Sequence, residues 1–203
     1  MRTRAELALA LLQHAHTILS SNVQNVTLDE ALQSAGGYRS IIGVLKHATG
    51  WSHVYHSYAF DAAPRHWAQQ DFPRGHRDTI ELTQAYLDDV RAWSEQAWEK
   101  WRDSLSALDD AAFDEPRPLH WGERRPLFDI AVFEATHCTY HAGEINAILA
   151  TVRGEAWEYT EEVEENHIST VGHRLRPAWM TPEQAASFEA YLAERDRQLR
   201  GLG

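Results

Sequence analysis

The chain has 203 residues, 43% of them hydrophobic, and a formal net charge of −11. That is enough apolar sequence for one domain with its own core, and too much for a disordered chain. No Lys/Arg cluster offsets the acidic balance, which excludes nucleic acid and anionic membrane surfaces as expected partners.

The N-terminal run MRTRAELALALLQHAH begins with basic residues, as a leader sequence would. Glu6, Gln13 and two histidines interrupt it, however, and no small-residue cleavage site follows, so it reads as an amphipathic helix. Leu7, Leu11, Ala15, Ile18 and Leu19 repeat at helical spacing over residues 3–20. No apolar run approaches the roughly 20 residues that span a bilayer. Gly36-Gly37 closes a connector, and a second helix is expected from about Arg39 to about Ala59. Pro64, Pro73 and Gly75 mark residues 61–77 as loop. A third helix is expected from Asp78, as N-cap, to about Leu108. Residues 109–126 hold three prolines and Trp121-Gly122, which suits a small hairpin or an ordered loop. The fourth helix should follow Pro126 and run to Arg153, where Gly154 stops it. Residues 154–180 read as irregular, with the acidic run EYTEEVEE as solvated surface. Thr181-Pro182-Glu183 opens a last helix to about Arg200.

No segment is rich in strand signals. The expected fold is all-α: a four-helix bundle over residues 1–153 with long connectors, plus an acidic segment and a C-terminal helix over 154–203 packed on the same domain. The long connectors leave the topology free to depart from a simple up-down-up-down order. The single cysteine, Cys138, cannot form an internal disulfide, which suits a reducing cytoplasm.

Twelve histidines and eight tryptophans are many for this length, and histidine is the commonest metal ligand. On the fourth helix, counting about 100° per residue from Phe128, the apolar residues fill an arc of roughly 200–300°. His141 falls at about 220° and Glu134 at about 240°, inside that arc, and His137 at about 180°, on its edge. Buried side chains of this kind must be satisfied, because stranding them costs several kcal/mol. A divalent ion held by imidazoles one turn apart does so; so does a metal-free hydrogen-bonded cluster. A third ligand would come from a facing helix. Counted from Ile41, His47 falls at about 240° within the apolar arc of the second helix, whereas His53 falls at about 120° on the opposite side and His56 just outside the edge.

The remaining histidines are weaker candidates. His14 and His16 lie at the edges of the first helix's apolar face and suit interface or surface roles. His66, His76, His120, His167 and His173 lie in connectors, where exposure is the default. Cys138 reads as a small buried hydrophobe, not a catalytic thiol. Trp93, Trp98 and Trp101 read as packing or interface anchors, and the latter role predicts a homodimer.

Three segments carry a family resemblance: YRSIIGVLKH, ending in His47; LHWGERRPLFD, leading into the fourth helix; and EATHCTYHAGEINAIL upon it. Together they resemble the DinB/YfiT superfamily of metal-dependent helical bundles, over roughly residues 5–153. The spacing of about 90 residues between the lone histidine and the pair fits that family, as does Ala142-Gly143 after the last histidine. Many members carry Gln where this chain has Glu144.

The resemblance implies three ligands, His47, His137 and His141, on zinc, nickel or another divalent ion, with coordination positions left open. It further implies a metal-dependent enzyme in which an activated thiol or water attacks a small electrophile, as in thiol-dependent S-transferases and mycothiol-dependent maleylpyruvate isomerase. A low-molecular-weight thiol is then the expected co-substrate. Since the family supplies no carboxylate ligand, Glu134 is expected to accept a hydrogen bond from a ligand imidazole, with direct ligation as the other possibility. Trp51, Glu144, His120 and Trp121 are the expected site-lining residues, and no catalytic residue is identified. Two other functions fit the same residues: a metal-binding stress-response protein without turnover, and a structural bundle with a metal-free His/Glu cluster.

Overall fold

The computed structural model describes residues 3–37, 39–71 and 82–154. Met1–Ala156 forms one compact unit. The expected segment 154–180, apart from Gly154, and the helix from Thr181 lie outside the described residues, as do His76, His167 and His173.

Four long helices build the unit: α1 (Arg4–Val23), α3 (Ile41–Phe60), α4 (Gln84–Ser106) and α5 (Leu127–Arg153). A one-turn helix, α2 (Leu28–Ala31), lies between the first two. Sequence reasoning passed over α2, although Thr27-Leu-Asp-Glu30 is a capping box: the Thr27 hydroxyl accepts from Glu30 N and the Glu30 carboxylate accepts from Thr27 N. Thr3 and Glu6 cap α1 in the same way. The third expected helix starts later than expected. Asp78 lies outside the described residues, but Leu82 and Thr83 are not helical; Thr83 takes extended angles and its hydroxyl accepts from Tyr86 N, so the helix begins at Gln84. Helix α5 spans 27 residues and follows Pro126 directly. Gly154 ends it at φ 66°, a left-handed conformation that glycine adopts without steric penalty.

The main helix pairings are α1 with α4 and α5, and α3 with α4 and α5. Going round the bundle the order is therefore α1, α4, α3, α5. The chain crosses a diagonal between α1 and α3 and again between α4 and α5. The long connectors make this crossing possible. In the second of them, strands β1 (Pro116–Pro118) and β2 (Arg124–Pro126) form a short antiparallel hairpin. Leu127 N donates to Glu115 O, which fixes the hairpin to the first turn of α5.

The core is a continuous cluster along the bundle axis. Helix α1 contributes Ala8, Leu12, Ala15, Leu19 and Val23, and α5 contributes Ile130, Ala131, Ala142, Ile145 and Ile148. Each large aliphatic chain buried this way stabilises the fold by about 1.5–3 kcal/mol. Trp93 and Trp101 belong to this interior, and Trp98 stacks on His16 with ring centroids 5.6 Å apart. The tryptophans of α4 are thus packing groups within the chain.

Helix α3 has two buried sides, where a single apolar arc was expected. Gly50, His53 and Ser57, which the helical wheel put opposite that arc, are buried as well. That side meets α4. His53 is 3% exposed, stacks on Trp93 at 4.7 Å, and donates from Nε2 to the Trp93 carbonyl at 3.2 Å. Periodicity of apolar residues could not show a contact made of small and polar side chains.

Candidate metal centre

Helix α3 presents His47, and the neighbouring α5 presents His137 and His141 one turn apart. One ring nitrogen of each lies within 4.8 Å of the other two. Nε2 of His137 and Nε2 of His141 are 3.2 Å apart. Two nitrogens bound tetrahedrally to one zinc ion, each at about 2.0–2.1 Å, sit about 3.3 Å from each other. The His47 ring lies 4.8 Å from that of His141 and 5.7 Å from that of His137.

Burial favours the neutral form of His47 and His137, the form that binds metal. Burial first, then the nearby His141 and His47, pulls His137 down to about 3. His47 falls to about 4, chiefly through burial, with Arg39 and His141 adding to it and Glu144 opposing.

The hydrogen bonds around the pair bear on whether it can hold an ion. Glu144 Oε2 accepts from His141 Nδ1 at 2.8 Å. A carboxylate only accepts, so Nδ1 carries the proton and Nε2 of His141 is a bare lone pair. In the absence of an ion, His137 has to donate from Nε2 to that lone pair, which leaves its own Nδ1 bare. Yet Nδ1 of His137 is buried without a partner, and it faces Glu134 Oε2 at 3.8 Å, which is buried without a partner too. With Glu134 ionised, two acceptors would then oppose each other in the interior. With a divalent ion between the rings, both Nε2 atoms turn lone pairs to it and His137 Nδ1–H points towards the carboxylate. These tautomers suit an ion and set a donor rather than a lone pair opposite the carboxylate, although 3.8 Å is too long for a hydrogen bond, so the donor set fits.

The two glutamates divide differently from the expectation. Glu144 holds a histidine of the cluster, the role foreseen for Glu134. The 3.8 Å gap from Glu134 to His137 is too long for a hydrogen bond. Instead Glu134 Oε1 accepts from Cys138 Sγ at 3.0 Å. Glu134 is 1% exposed, and burial pushes its carboxyl up to about 7 against the opposing pull of hydrogen bonds from Ser52 and Cys138. Glu134, His137 and Cys138 form a second group with ligand-like spacing. Burial, then Glu134, raises the Cys138 thiol well above its usual range, so it stays protonated and donates. The three histidines are therefore the better donor set.

Glu134→Gln should separate two effects of opposite sign. A carboxyl raised from 4.5 to about 7 contributes stability below pH 4.5 that is lost as the pH climbs through 7. Removing the charge should raise the stability of the metal-free protein at pH 8 by on the order of 1–3 kcal/mol. Metal affinity should fall by roughly 10–100-fold if ion binding draws His137 Nδ1–H, now 3.8 Å away, onto this carboxylate. Denaturant melts of stripped protein and competition titrations with a chelator check the two. Unchanged affinity would show that Glu134 does not orient His137.

The approach to the three histidines is lined by rings. Trp51 lies 6.3 Å from His47, 4.5 Å from His120 and 5.3 Å from Trp67. Tyr55 lies 5.8 Å from His137 and 5.6 Å from His120. Of the expected lining residues, Trp51 touches the cluster, His120 sits one ring behind it, and Trp121 stands at the outer edge, packed on His120 at 4.7 Å. Sequence reasoning missed Tyr55 and Trp67. Tyr55 was assigned to the apolar stripe of α3, and Trp67 sits in a connector with no periodic signal to place it.

Among the described residues no helix is long and apolar enough to cross a membrane. No curated protein and no solved structure matches the chain. The family model of the DinB superfamily does match, over residues 10–145, a span that holds all three histidines and the whole of the bundle except its ends. On that match, and on the helical bundle just described, the chain belongs to the DinB superfamily.

Proposed function

We propose that the protein is a metal-dependent enzyme of the S-transferase or hydrolase type, acting on a small electrophile with a low-molecular-weight thiol or water as nucleophile. The observation that carries this reading is the number of donors. Three imidazoles converge, while the carboxylates beside them are engaged elsewhere: Glu144 on His141, and Glu134 on Cys138. Structural sites are closed by four protein ligands, whereas three leave a position for a reacting group. When bound, a divalent ion, zinc or nickel by the chemistry of imidazole donors, lowers the pKa of a thiol or water beside it to near neutrality.

The chain's own residues do the rest. Glu144 holds the His141 tautomer, burial keeps His47 and His137 unprotonated, and Trp51, Tyr55 and Trp67 exclude water from one side of the cluster. The free, buried Cys138 supports placement in the cytoplasm.

The test is a screen of metal-loaded and chelator-stripped protein against electrophiles, with mycothiol, bacillithiol, glutathione and water as nucleophiles. Turnover that disappears on stripping and returns with the ion supports the enzyme. A tightly held ion without turnover for any nucleophile identifies a metal-binding protein instead, and no ion at all a structural bundle.

We also propose a homodimer, with the exposed Trp121, Phe133 and Tyr140 as the aromatic surface available to a second copy. Sedimentation at micromolar concentration showing only a 23.2 kDa species overturns it.

A further inference from the structure

A cavity of about 20 Å³ lies behind the histidine cluster, near the bundle axis, with all four long helices contributing to its wall. Its lining is mostly apolar, from Leu12 on α1 to Trp101 on α4, but five polar side chains face it: His16 from α1, Thr49 and Ser52 from α3, Ser94 from α4 and Glu134 from α5. Two of these bear atoms that the protein leaves unpaired. Thr49 Oγ1 and Glu134 Oε2 are buried without a hydrogen-bond partner, in residues each 1% exposed. Ser52 Oγ already accepts from Trp101 Nε1 at 3.1 Å and its hydroxyl acts on the Glu134 carboxyl, yet Glu134 Oε2 is still left without a partner.

Leaving a hydroxyl and a carboxylate oxygen both unpaired in the interior is costly, and native interiors rarely tolerate it. A water molecule needs roughly 10–15 Å³ and two to four polar partners. The cavity meets both conditions. We propose that it is a built hydration site: one ordered water, donating to Glu134 Oε2 and hydrogen-bonded to Thr49 Oγ1, with Ser52 and Ser94 within its polar wall.

Such a water is also a structural link. Thr49 stands two residues after His47 on α3, and Glu134 three residues before His137 on α5. The bridge Thr49–water–Glu134 ties together the two helices that carry the histidines, at the level of the cluster. Thr49 is then a positioning residue, acting on the histidines through the water and the carboxylate. This last step rests on the metal reading of the site; the hydration site itself does not.

The test uses the full chain and two variants. A crystal structure at a resolution that shows ordered water should contain one peak within 2.7–3.2 Å of both Thr49 Oγ1 and Glu134 Oε2. A cavity without such a peak, or Thr49 Oγ1 bonded to a backbone carbonyl instead, overturns the proposal. Thr49→Val gives an independent reading through its sign. If the hydroxyl is truly orphaned, replacing it with a methyl raises the Tm. If it holds the water, the Tm falls by several degrees and the peak is lost, while Thr49→Ser keeps the peak. An unchanged or raised Tm in Thr49→Val overturns the proposal even where no crystals grow. For the positioning role, zinc affinity is measured by chelator competition in Thr49→Val and Thr49→Ser. A loss of 3-fold or more in the valine variant, restored in the serine variant, is the expected result. Equal affinities alongside a confirmed water would leave a hydration site with no part in metal binding.

Discussion

His141→Ala should reduce bound divalent metal from about one ion per chain to none that survives dialysis against a weak chelator. His141 is one of three donors, and it alone is held by a carboxylate at hydrogen-bond distance. Losing an outer carboxylate typically costs 10–100-fold in metal affinity, so losing the ligand itself should cost well over about 100-fold. His47→Ala should do the same from the other helix, which guards against a local collapse of α5 being mistaken for loss of a ligand. Cys138→Ala is the discriminating control. If the three histidines are the site, it retains the ion; if the ion sits among Glu134, His137 and Cys138, it loses it. Elemental analysis on protein made without a histidine tag reads all three variants. Full occupancy in His141→Ala would refute the site as assigned.

Acid should unfold this protein early. His53 and His56 lie between α3 and α4, where burial first and then charged neighbours, Lys100 among them, act on them; burial and Lys100 both favour the neutral form. Each imidazole is lowered from 6.5 to about 4. His53 is stacked on Trp93 and its Nδ1 faces Lys100 Nζ at 3.4 Å; His56 Nε2 bonds Ser104 Oγ at 2.8 Å and its ring packs edge-on against Trp101. The sign follows from the unfolded chain, which takes up a proton at each histidine near pH 6.5 while the folded chain does so only near pH 4. Stability present above pH 6.5 is therefore lost as the pH falls towards 4, at up to about 1.4 kcal/mol per pH unit for each group. Over that window the pair contributes a loss on the order of several kcal/mol, a large part of a typical folding free energy. Denaturant melts at pH 7.5 and pH 5 should show it, and the difference between the two should shrink by about 1–2 kcal/mol in His53→Gln. In metal-stripped protein His47 and His137 act with the same sign, so the comparison is made between variants in one metal state. A pH difference identical in wild type and His53→Gln would show that His53 titrates normally.

The helices and the histidines were legible for one reason: each was written in periodic apolar sequence. Helix α5 shows this best, because Glu134, His137 and His141 could be placed against Ile130, Cys138, Ile145 and Ile148 by counting alone. What escaped was whatever periodicity does not encode. The second buried side of α3 is made of Gly50, His53 and Ser57, which look like a solvent face until Trp93 and Trp101 arrive from α4. The exchange of roles between Glu134 and Glu144 turns on about an ångström of side-chain reach, although the i, i+3 spacing of His141 and Glu144 would have allowed the bond to be foreseen. Trp67 and His120 sit in connectors, and only tertiary structure brings connectors together.

The three histidines stand on two helices locked into the core, whereas many of the rings in front of them, Trp67 and His120 among them, sit in connectors between helices. The consequence is an inheritance in two parts. On the function proposed above, drift in the connectors would trade one clientele of small molecules for another while the histidines stay put, since no core residue need move. Grafting the 61–71 connector and the 119–123 turn from a relative with different tastes should therefore transplant the taste and leave the metal behind.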